Sequence, residues 1–388
     1  MRRGLRTILL AGLSLAALTG CATAPTVQTA PPALDIQTID PFLPIVERVA
    51  SHVWVMRQAR PNFAGVVGNV VIIEQSRGIV LVDSGATHGG GQRVVEAVRR
   101  LSPKPVTAVI ITHWHGDHPL GISALREAWP NLEVIATEAT RSHLAAGETN
   151  TPTAPDPAWE ARRINTLTHT YVDQLQPQVN DQSLSPEEHE GWANALRALS
   201  IRAADTPGTY VVMPTRTFRD SLVLPDSVSP VEIRFEGRAN TDGDAVVWLP
   251  HQRVLAAGDT VVWPVPYLLS VYPAENITML QRLRARNFAA LIPGHGEVLH
   301  DKACLDLLIR FMSDVRTHVA AAVAHETTLE AITAQMHGEL APYAAEFAGG
   351  NRWYRYWFKQ YALDPMVESA YQEARGAPLG PPPPDPQH

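Results

Sequence analysis

The chain has 388 residues, of which 45% are hydrophobic and 18% are charged, and its net charge is −7. A chain of this size and composition is typical of one large globular α/β domain with an appendage. The negative charge and the lack of any basic run with interleaved aromatic residues argue against nucleic acid as a partner, and no feature predicts an oligomeric state.

The first 20 residues have the features of an export signal. Three arginines within the first six residues precede an apolar stretch over 8–18, which is shorter than the roughly 20 residues that a membrane-spanning helix needs. The sequence Leu-Thr-Gly-Cys that ends at Cys21 resembles a bacterial lipoprotein box. We therefore predict a signal peptide over 1–20 and a lipid anchor at Cys21; the alternative is an ordinary cleaved signal beside an incidental cysteine.

A lipid at Cys21 predicts attachment to the periplasmic face of the cell envelope. Ala22 follows it, and by analogy with other lipoproteins this favours the outer membrane over the inner. Residues 21–45 contain five prolines among small residues and are predicted to be a flexible tether. The other cysteine, Cys304, is predicted to be a small core residue, and an acylated Cys21 leaves it no intramolecular disulfide partner.

Apolar runs after the tether predict the first elements of the domain. Strands are expected over 52–58, 66–74 and 78–82, a helix over 91–101, and further strands over 106–112 and 132–137.

The stretch His-Trp-His-Gly-Asp-His follows one of these predicted strands directly, at 113–118. In an extended turn His113 and His115 point the same way, because side chains alternate, while Asp117 and His118 face a second point nearby. A lone histidine at a strand end is usually a satisfied polar residue. Four ligand-type side chains in this order instead indicate two adjacent positions for zinc or similar divalent ions.

The rest of the chain is mainly helical in pattern. The segment 139–215 has helical spacing, with helices over 159–175 and 186–199 and a helix start at Ser185. It is interpreted as an insertion that either walls a substrate pocket or only packs on the domain, and its histidines are given no ligand role. A helix from Asp301 to about His325 precedes a C-terminal helical extension over 326–375 and a disordered Pro-rich tail over 376–388.

The pattern His-x-His-x-Asp-His resembles the signature of the metallo-β-lactamase superfamily. Three later stretches match the remaining ligand positions of that family in order: 237–244 around Asn240, Gly258-Asp259, and the turn 293–296 around His295. The resemblance covers residues 46–325. It implies a four-layered αββα sandwich in which the helical insertion and the C-terminal helices are additions.

The resemblance also implies a ligand set with one departure. Asn240 stands where the family usually has a third histidine, and an amide is a poorer zinc ligand than imidazole. We therefore expect one tightly bound Zn²⁺ and a second that is weak or partial, unless a shifted register lets Asp242 or Asp244 supply the ligand. The implied metal ligands are His113, His115, Asp117, His118, Asp259, which bridges the two positions, His295 and, through its carbonyl, Asn240.

In this family a metal lowers the pKa of bound water to about 7. The resemblance therefore implies a hydrolase that uses a metal-bound hydroxide on an amide, lactam, lactone or ester, with Asp117 as the catalytic residue that orients the water or relays its proton. One alternative is a metal-binding lipoprotein with little or no catalysis, which Asn240 motivates. A mononuclear iron oxygenase is less favoured, because its ligand triad would need the position that Asn240 occupies.

Two further residues take roles only from the resemblance, and one loop takes its role from its aromatic residues beside Asp259. Phe63 is either a flap residue that touches substrate or a cap on the core. Asp83 either hydrogen-bonds near the metal site or only shapes a turn. The aromatic-rich loop 260–267 either forms a substrate floor or packs on the core.

Overall fold

The computed structural model describes residues 44–59, 63, 66–325 and 327–379. The predicted signal peptide, Cys21, the tether up to residue 43 and the tail from residue 380 lie outside the described residues. Within the described ranges, every helix is too short or too polar to cross a bilayer.

Seven strands form the first sheet and lie in it in chain order. The pairs among β1 to β4 are antiparallel, and β4 to β7 run parallel to one another. The strands are β1 (Pro44–Ala50), β2 (Val53–Gln58), β3 (Val70–Glu74), β4 (Ile79–Val82), β5 (Val106–Ile110), β6 (Glu133–Thr137) and β7 (Arg216–Phe218).

Five strands form the second sheet in the order β12-β11-β10-β9-β8. Only β11 and β12 are parallel; the other pairs are antiparallel hairpin neighbours. The strands are β8 (Ser221–Leu224), β9 (Val231–Phe235), β10 (Ala245–Leu249), β11 (Val254–Val262) and β12 (Ala290–His295).

Twelve α-helices and two π-helical turns are present in the described part of the chain. The turn Thr166–Thr170 joins α4 to α5, and the turn Phe358–Leu363 joins α11 to α12. The helices are α1 (His88–Leu101), α2 (Ile122–Ala128), α3 (Glu138–Ala146), α4 (Pro157–Asn165), α5 (Tyr171–Val179), α6 (Pro186–Asp205), α7 (Pro273–Ala285), α8 (Ala303–Val323), α9 (Leu329–Glu339), α10 (Ala341–Ala348), α11 (Arg352–Trp357) and α12 (Asp364–Ala374).

Three apolar clusters stack the elements into four layers. Residues of both sheets, such as Ile73 and Val247, fill the space between them. The other face of the first sheet packs on α1 and α2, through residues such as Val98. The other face of the second sheet packs on α7 and α8, through residues such as Leu280 and Phe311. Because each sheet buries both faces, the order is helix, sheet, sheet, helix, which confirms the predicted αββα fold.

The predicted helix starts and strand ends are partly reproduced. Ser185 caps α6 in a reciprocal capping box with Glu188, as its position before Pro186 predicts. The stretch 159–175 is helical throughout, as predicted, and contains a π-helical turn over Thr166–Thr170. The strand predicted over 66–74 begins only at Val70, because the Asn69 backbone N–H donates to Gly294 O, 2.7 Å away, instead of pairing within the sheet.

The C-terminal helices pack against the main domain. Trp353 and Trp357 are buried and belong to the same cluster as α7 and α8. Gly191 of α6 lies so close to the Trp353 ring that a Cβ there would be 2.3 Å from it. The insertion and the C-terminal extension therefore contact each other tightly. Cys304 is buried in this cluster as well.

Candidate metal centre

The candidate ligands lie where parallel strands end. Residues 113–118 follow β5, Asp83 follows β4, Asp259 is within β11, and His295 is the last residue of β12. Because β4 is parallel to β5 and β11 is parallel to β12, these strands deliver their side chains to one edge of the sandwich. Ligands of open α/β sheets also bind at the carboxyl ends of the parallel strands.

Asp117, His118 and His295 form one cluster. One ligand atom from each lies within 4.8 Å of the others, and all three side chains are buried. Asp117 Oδ2 is 3.0 Å from His295 Nε2 and 3.4 Å from His118 Nε2. Residues separated by almost 180 positions therefore converge on one point, and they are the three that the sequence assigns to the second metal position.

His113, His115 and Asp259 form the other cluster. His113 Nε2 is 3.1 Å from His115 Nδ1 and 3.8 Å from Asp259 Oδ2. The second oxygen of the same carboxylate, Asp259 Oδ1, lies 3.3 Å from His118 Nε2 and 3.4 Å from His295 Nε2. The Asp259 carboxylate thus faces both clusters, which is the placement that a bridging ligand requires.

Four buried atoms at this point have no hydrogen-bond partner. They are Asp117 Oδ2, His118 Nε2, Asp259 Oδ1 and His295 Nε2. Buried polar atoms are almost always hydrogen-bonded, because leaving them unpaired costs about 1–3 kcal/mol each. Imidazole nitrogen and carboxylate oxygen are ligands for zinc and related ions. The donor set and its unpaired atoms therefore suit a divalent metal.

Asn240 lies beside the cluster of His113, His115 and Asp259, which is the first cluster and corresponds to the first metal position. Its side chain is buried, and Asn240 Nδ2 is 3.3 Å from His115 Nδ1. The two acids that a shifted register would supply are held elsewhere. Asp242 Oδ1 pairs with His143 Nε2 at 2.8 Å, and Asp244 Oδ2 accepts the Thr241 N–H at 2.6 Å. Neither acid joins a metal-type cluster among the described residues, so the structure favours the register that puts Asn240 at the ligand position.

Asp83 orients one of the ligands. Its carboxylate accepts hydrogen bonds from the backbone N–H and the hydroxyl of Thr112, each at 2.8 Å, and Asp83 Oδ2 lies 2.8 Å from His118 Nδ1. With its Nδ1–H donated to Asp83, His118 turns Nε2 into the cluster, an arrangement common for metal-binding histidines. The structure therefore favours the hydrogen-bonding role for Asp83 over the turn-shaping one.

Asp83→Ala is expected to weaken binding of a divalent ion by about tenfold to a hundredfold, because outer partners of metal-binding histidines have effects of this size. The measurement is a competitive zinc titration with a chromophoric chelator. Asp226→Asn, which changes a carboxyl that caps the turn between β8 and β9, is the control. Equal zinc affinity in Asp83→Ala and the parent protein would contradict the orienting role.

The two clusters have strongly coupled charges. Burial alone raises the pKa of Asp117 and Asp259, but His118 and His295 outweigh it and hold both pKa values well below the usual range. Burial lowers the pKa of His295, yet Asp259 and Asp117 raise it to about 9. The two carboxylates thus concentrate negative charge in a buried pocket, which a cation neutralises in competition with protons.

His143 forms a network that sequence reasoning missed. Its Nδ1 lies 2.7 Å from Glu148 Oε2, and its Nε2 contacts Asp242. The hydrogen bond with Asp242 raises the pKa of His143 despite its partial burial. The His143 ring also stacks on Trp114, with ring centroids 5.2 Å apart. The network ties α3 to the loop that carries Asn240, and no local signal in the sequence pairs positions about one hundred residues apart.

Asp244 is a buried carboxyl next to the Asn240 loop. Burial raises its pKa to about 7, against the opposing effect of the Thr241 N–H. The folded state therefore binds one more proton than the unfolded state between about pH 4 and pH 7, so this group's contribution to stability falls as pH rises through that window.

Asp244→Asn is expected to stabilise the metal-free protein relative to the parent at pH 8 but not at pH 4.5. The stability difference should grow by at most about 4 kcal/mol, at about 1.4 kcal/mol per pKa unit. Urea unfolding at both pH values measures it. A difference that does not change with pH would show that the carboxyl is ionised in the folded protein.

Phe63 is held in an aromatic cage at the mouth of the site. Only 1% of it is exposed, and its ring stacks on Trp357 with centroids 5.6 Å apart. The Tyr361 hydroxyl donates to the Phe63 carbonyl at 2.8 Å. The structure thus favours a role for Phe63 in capping the core. Its side chain also lines a small pocket with His295 and Tyr267, so the cage shapes one wall of the mouth.

Comparisons with known proteins agree with this architecture. The family model described as "Metallo-beta-lactamase superfamily" matches residues 64–295. A linear primary-alkylsulfatase of Pseudomonas sp. is 24% identical over 266 residues, 66% of this chain and 46% of that protein. A type 2 metallo-β-lactamase of Bacillus sp. is 23% identical over 260 residues, 65% of this chain and 76% of that protein.

Solved structures show the same fold. The stereoselective inverting sec-alkylsulfatase of Pseudomonas sp. superimposes with a TM-score of 0.59 at 16% identity, over 84% of this chain and 50% of that one. The chain thus spans about half the length of the alkylsulfatases that it matches. The family match covers more than half of the chain and includes both ends of the metal-type site, and the protein therefore belongs to the metallo-β-lactamase superfamily.

Proposed function

We propose that the protein is a divalent-metal-dependent hydrolase of ester or lactam bonds. The observation that carries the proposal is the pair of three-residue clusters that share the Asp259 carboxylate, with four buried ligand atoms left unpaired. A site built only for structure would satisfy these atoms with hydrogen bonds.

Zinc is the proposed metal, with one ion bound tightly by Asp117, His118, His295 and Asp259. The first position has His113, His115 and Asp259 within reach and an amide where the family usually has imidazole. We therefore infer weaker or partial binding there. A bound divalent ion supplies a Lewis acid and lowers the pKa of water to near 7 in the case of zinc.

The chain's own residues supply positioning and proton handling. The Asp117 carboxylate, whose pKa lies well below the usual range, accepts hydrogen bonds from a water and orients it for attack. Asp83 holds the His118 ring in place. Five of the six cluster side chains are buried, and the low local dielectric strengthens the charge interactions in the site.

The substrate class follows from the site and the relatives together. Six apolar or aromatic side chains line the mouth, and the polar residues there are Arg57, Gln58, Asn69, His295 and Glu297. Such a lining suits a substrate with an apolar portion next to the cleaved bond. The named relatives are an alkylsulfatase and a β-lactamase, so sulfate esters, carboxylic esters and lactams are the bonds to test.

The test uses metal-depleted protein reloaded with zinc. Nitrocefin, 4-nitrophenyl butyrate, γ-butyrolactone and hexyl sulfate form the panel, and free zinc and the His118→Ala variant are controls. Turnover of at least one substrate that requires both added zinc and His118 is expected. Tight zinc binding without turnover of any of them would instead favour the second candidate, a metal-binding protein with little catalysis, which Asn240 motivates.

We also propose a lipid anchor at Cys21 that places the enzyme on the periplasmic face of the envelope, at the outer membrane. The support is the sequence alone, because these residues lie outside the described ranges. Expressed from the full chain in a Gram-negative host, the protein is expected in the outer-membrane fraction. Cys21→Ser is expected to remove it from that fraction, and co-fractionation of the variant with the outer membrane would contradict the anchor.

A further inference from the structure

Tyr267 packs beside the second cluster, which is formed by Asp117, His118 and His295. It sits in the loop that follows β11, and its ring centroid is 5.0 Å from that of His295 and 5.2 Å from that of Tyr361. Only 8% of the residue is exposed. The next residue is fixed as well, because the Leu268 N–H donates to the Tyr361 carbonyl at 2.7 Å. Packing on two sides therefore holds the ring in one orientation.

The Tyr267 hydroxyl makes no hydrogen bond within the part of the chain that the structure describes, whereas neighbouring and remote tyrosines do. Tyr361 donates to the Phe63 carbonyl, and the Tyr343 hydroxyl contacts Asp314. Tyr267 instead lines the small pocket that also contains His295, Asn69 and Trp263. A buried hydroxyl that borders a pocket without a protein partner is placed to meet a ligand.

The hydroxyl of Tyr267 is a phenol, whose ordinary pKa is about 10. It therefore carries its proton at neutral pH and can donate a hydrogen bond. Two carboxylates stand nearby, so any negative charge that develops on a substrate oxygen here needs a donor from the protein.

We propose that Tyr267 is a substrate-binding residue whose hydroxyl donates a hydrogen bond to the acyl oxygen that carries negative charge during cleavage and in the carboxylate product. The proposal rests on the proposed hydrolase function. The loop after β11 would then bind an oxyanion beside His295. The ring of Tyr267 also forms part of the pocket wall.

The test compares Tyr267→Phe with the parent in the full, zinc-loaded protein. The change removes one oxygen and keeps the ring contacts with His295 and Tyr361. Tyr343→Phe, which removes a hydroxyl remote from the site, is the matched control. We expect binding of butyrate, measured by calorimetry, to weaken about tenfold. The kcat for 4-nitrophenyl butyrate is expected to fall about a hundredfold with KM changed much less.

Zinc content and thermal unfolding are measured on the same samples. Both are expected to match the parent, and a variant that loses zinc would show that Tyr267 acts through His295, which overturns the proposal. Tyr267→His keeps a ring and a donor N–H and is expected to recover part of the butyrate affinity.

The outcomes separate the two proposals. If the parent turns over no substrate of the panel, the hydrolase proposal fails, and the butyrate measurement alone decides the role of Tyr267. Equal butyrate affinity in the parent and in Tyr267→Phe, or no butyrate binding by the parent, overturns the oxyanion role even where esters are hydrolysed.

Discussion

Asn240→His is expected to raise the affinity of the first cluster for zinc by about a hundredfold, because it replaces a neutral amide with an imidazole ligand. Asn240 is buried beside His115, so a histidine side chain at this position reaches the same point as His113 Nε2 and Asp259 Oδ2. The first position then has a complete set of nitrogen and carboxylate ligands. The expected result is a change from about one retained zinc ion per chain to about two.

Equilibrium dialysis followed by elemental analysis measures this change. Asn240→Ala is the control, since it removes the amide without adding a ligand and should leave the tightly bound ion in place. Two ions retained by the parent protein would show that Asn240 does not weaken the first position. Unchanged stoichiometry and affinity in Asn240→His would mean that the side chain at 240 does not reach the cation.

Asp259→Ala is expected to lower zinc-dependent turnover by at least about a thousandfold and to release zinc from both positions. The reason is geometric: one oxygen faces His113 and the other faces His118 and His295, so a single substitution removes a ligand from each cluster. His118→Ala removes a ligand from one cluster only and should leave the weaker zinc position partly filled while abolishing turnover.

Elemental analysis and the substrate panel measure both variants against Asp226→Asn, a carboxyl substitution outside the site. Thermal unfolding verifies that each variant is folded. Full activity in either Asp259→Ala or His118→Ala would show that the site has been assigned to the wrong residues.

The resemblance to the metallo-β-lactamase superfamily predicted the fold and the later candidate ligands, and the chemistry of residues 113–118 predicted the first four. The ligand-type residues occur in short contiguous motifs directly after apolar strands, and parallel strands then bring those motifs to one edge. The structure brings His113, His115 and Asp259 together, and likewise Asp117, His118 and His295.

Features that depend on contacts between distant positions were not predictable in this way. The strands β1, β7, β8 and β9 were not predicted, because they are short and lack long apolar runs. The alternation of apolar and polar residues in β9 was a signal that could have found it. The pair of His143 with Asp242 and the hydrogen bond from Tyr361 to Phe63 join positions 99 and 298 residues apart. The packing of the whole domain determines which residues form these pairs, and the local sequence does not encode that packing.

The hydrogen bond from Tyr361 to the Phe63 carbonyl has a consequence for how proteins with this architecture can diversify. A segment near the end of the chain holds one rim of the opening, while the six ligand-type residues of the two clusters all lie in the sandwich. Replacing the C-terminal helices on the same sandwich would therefore change the shape of the opening and leave the metal-type clusters unchanged. Selectivity and reactivity can thus change independently in this architecture.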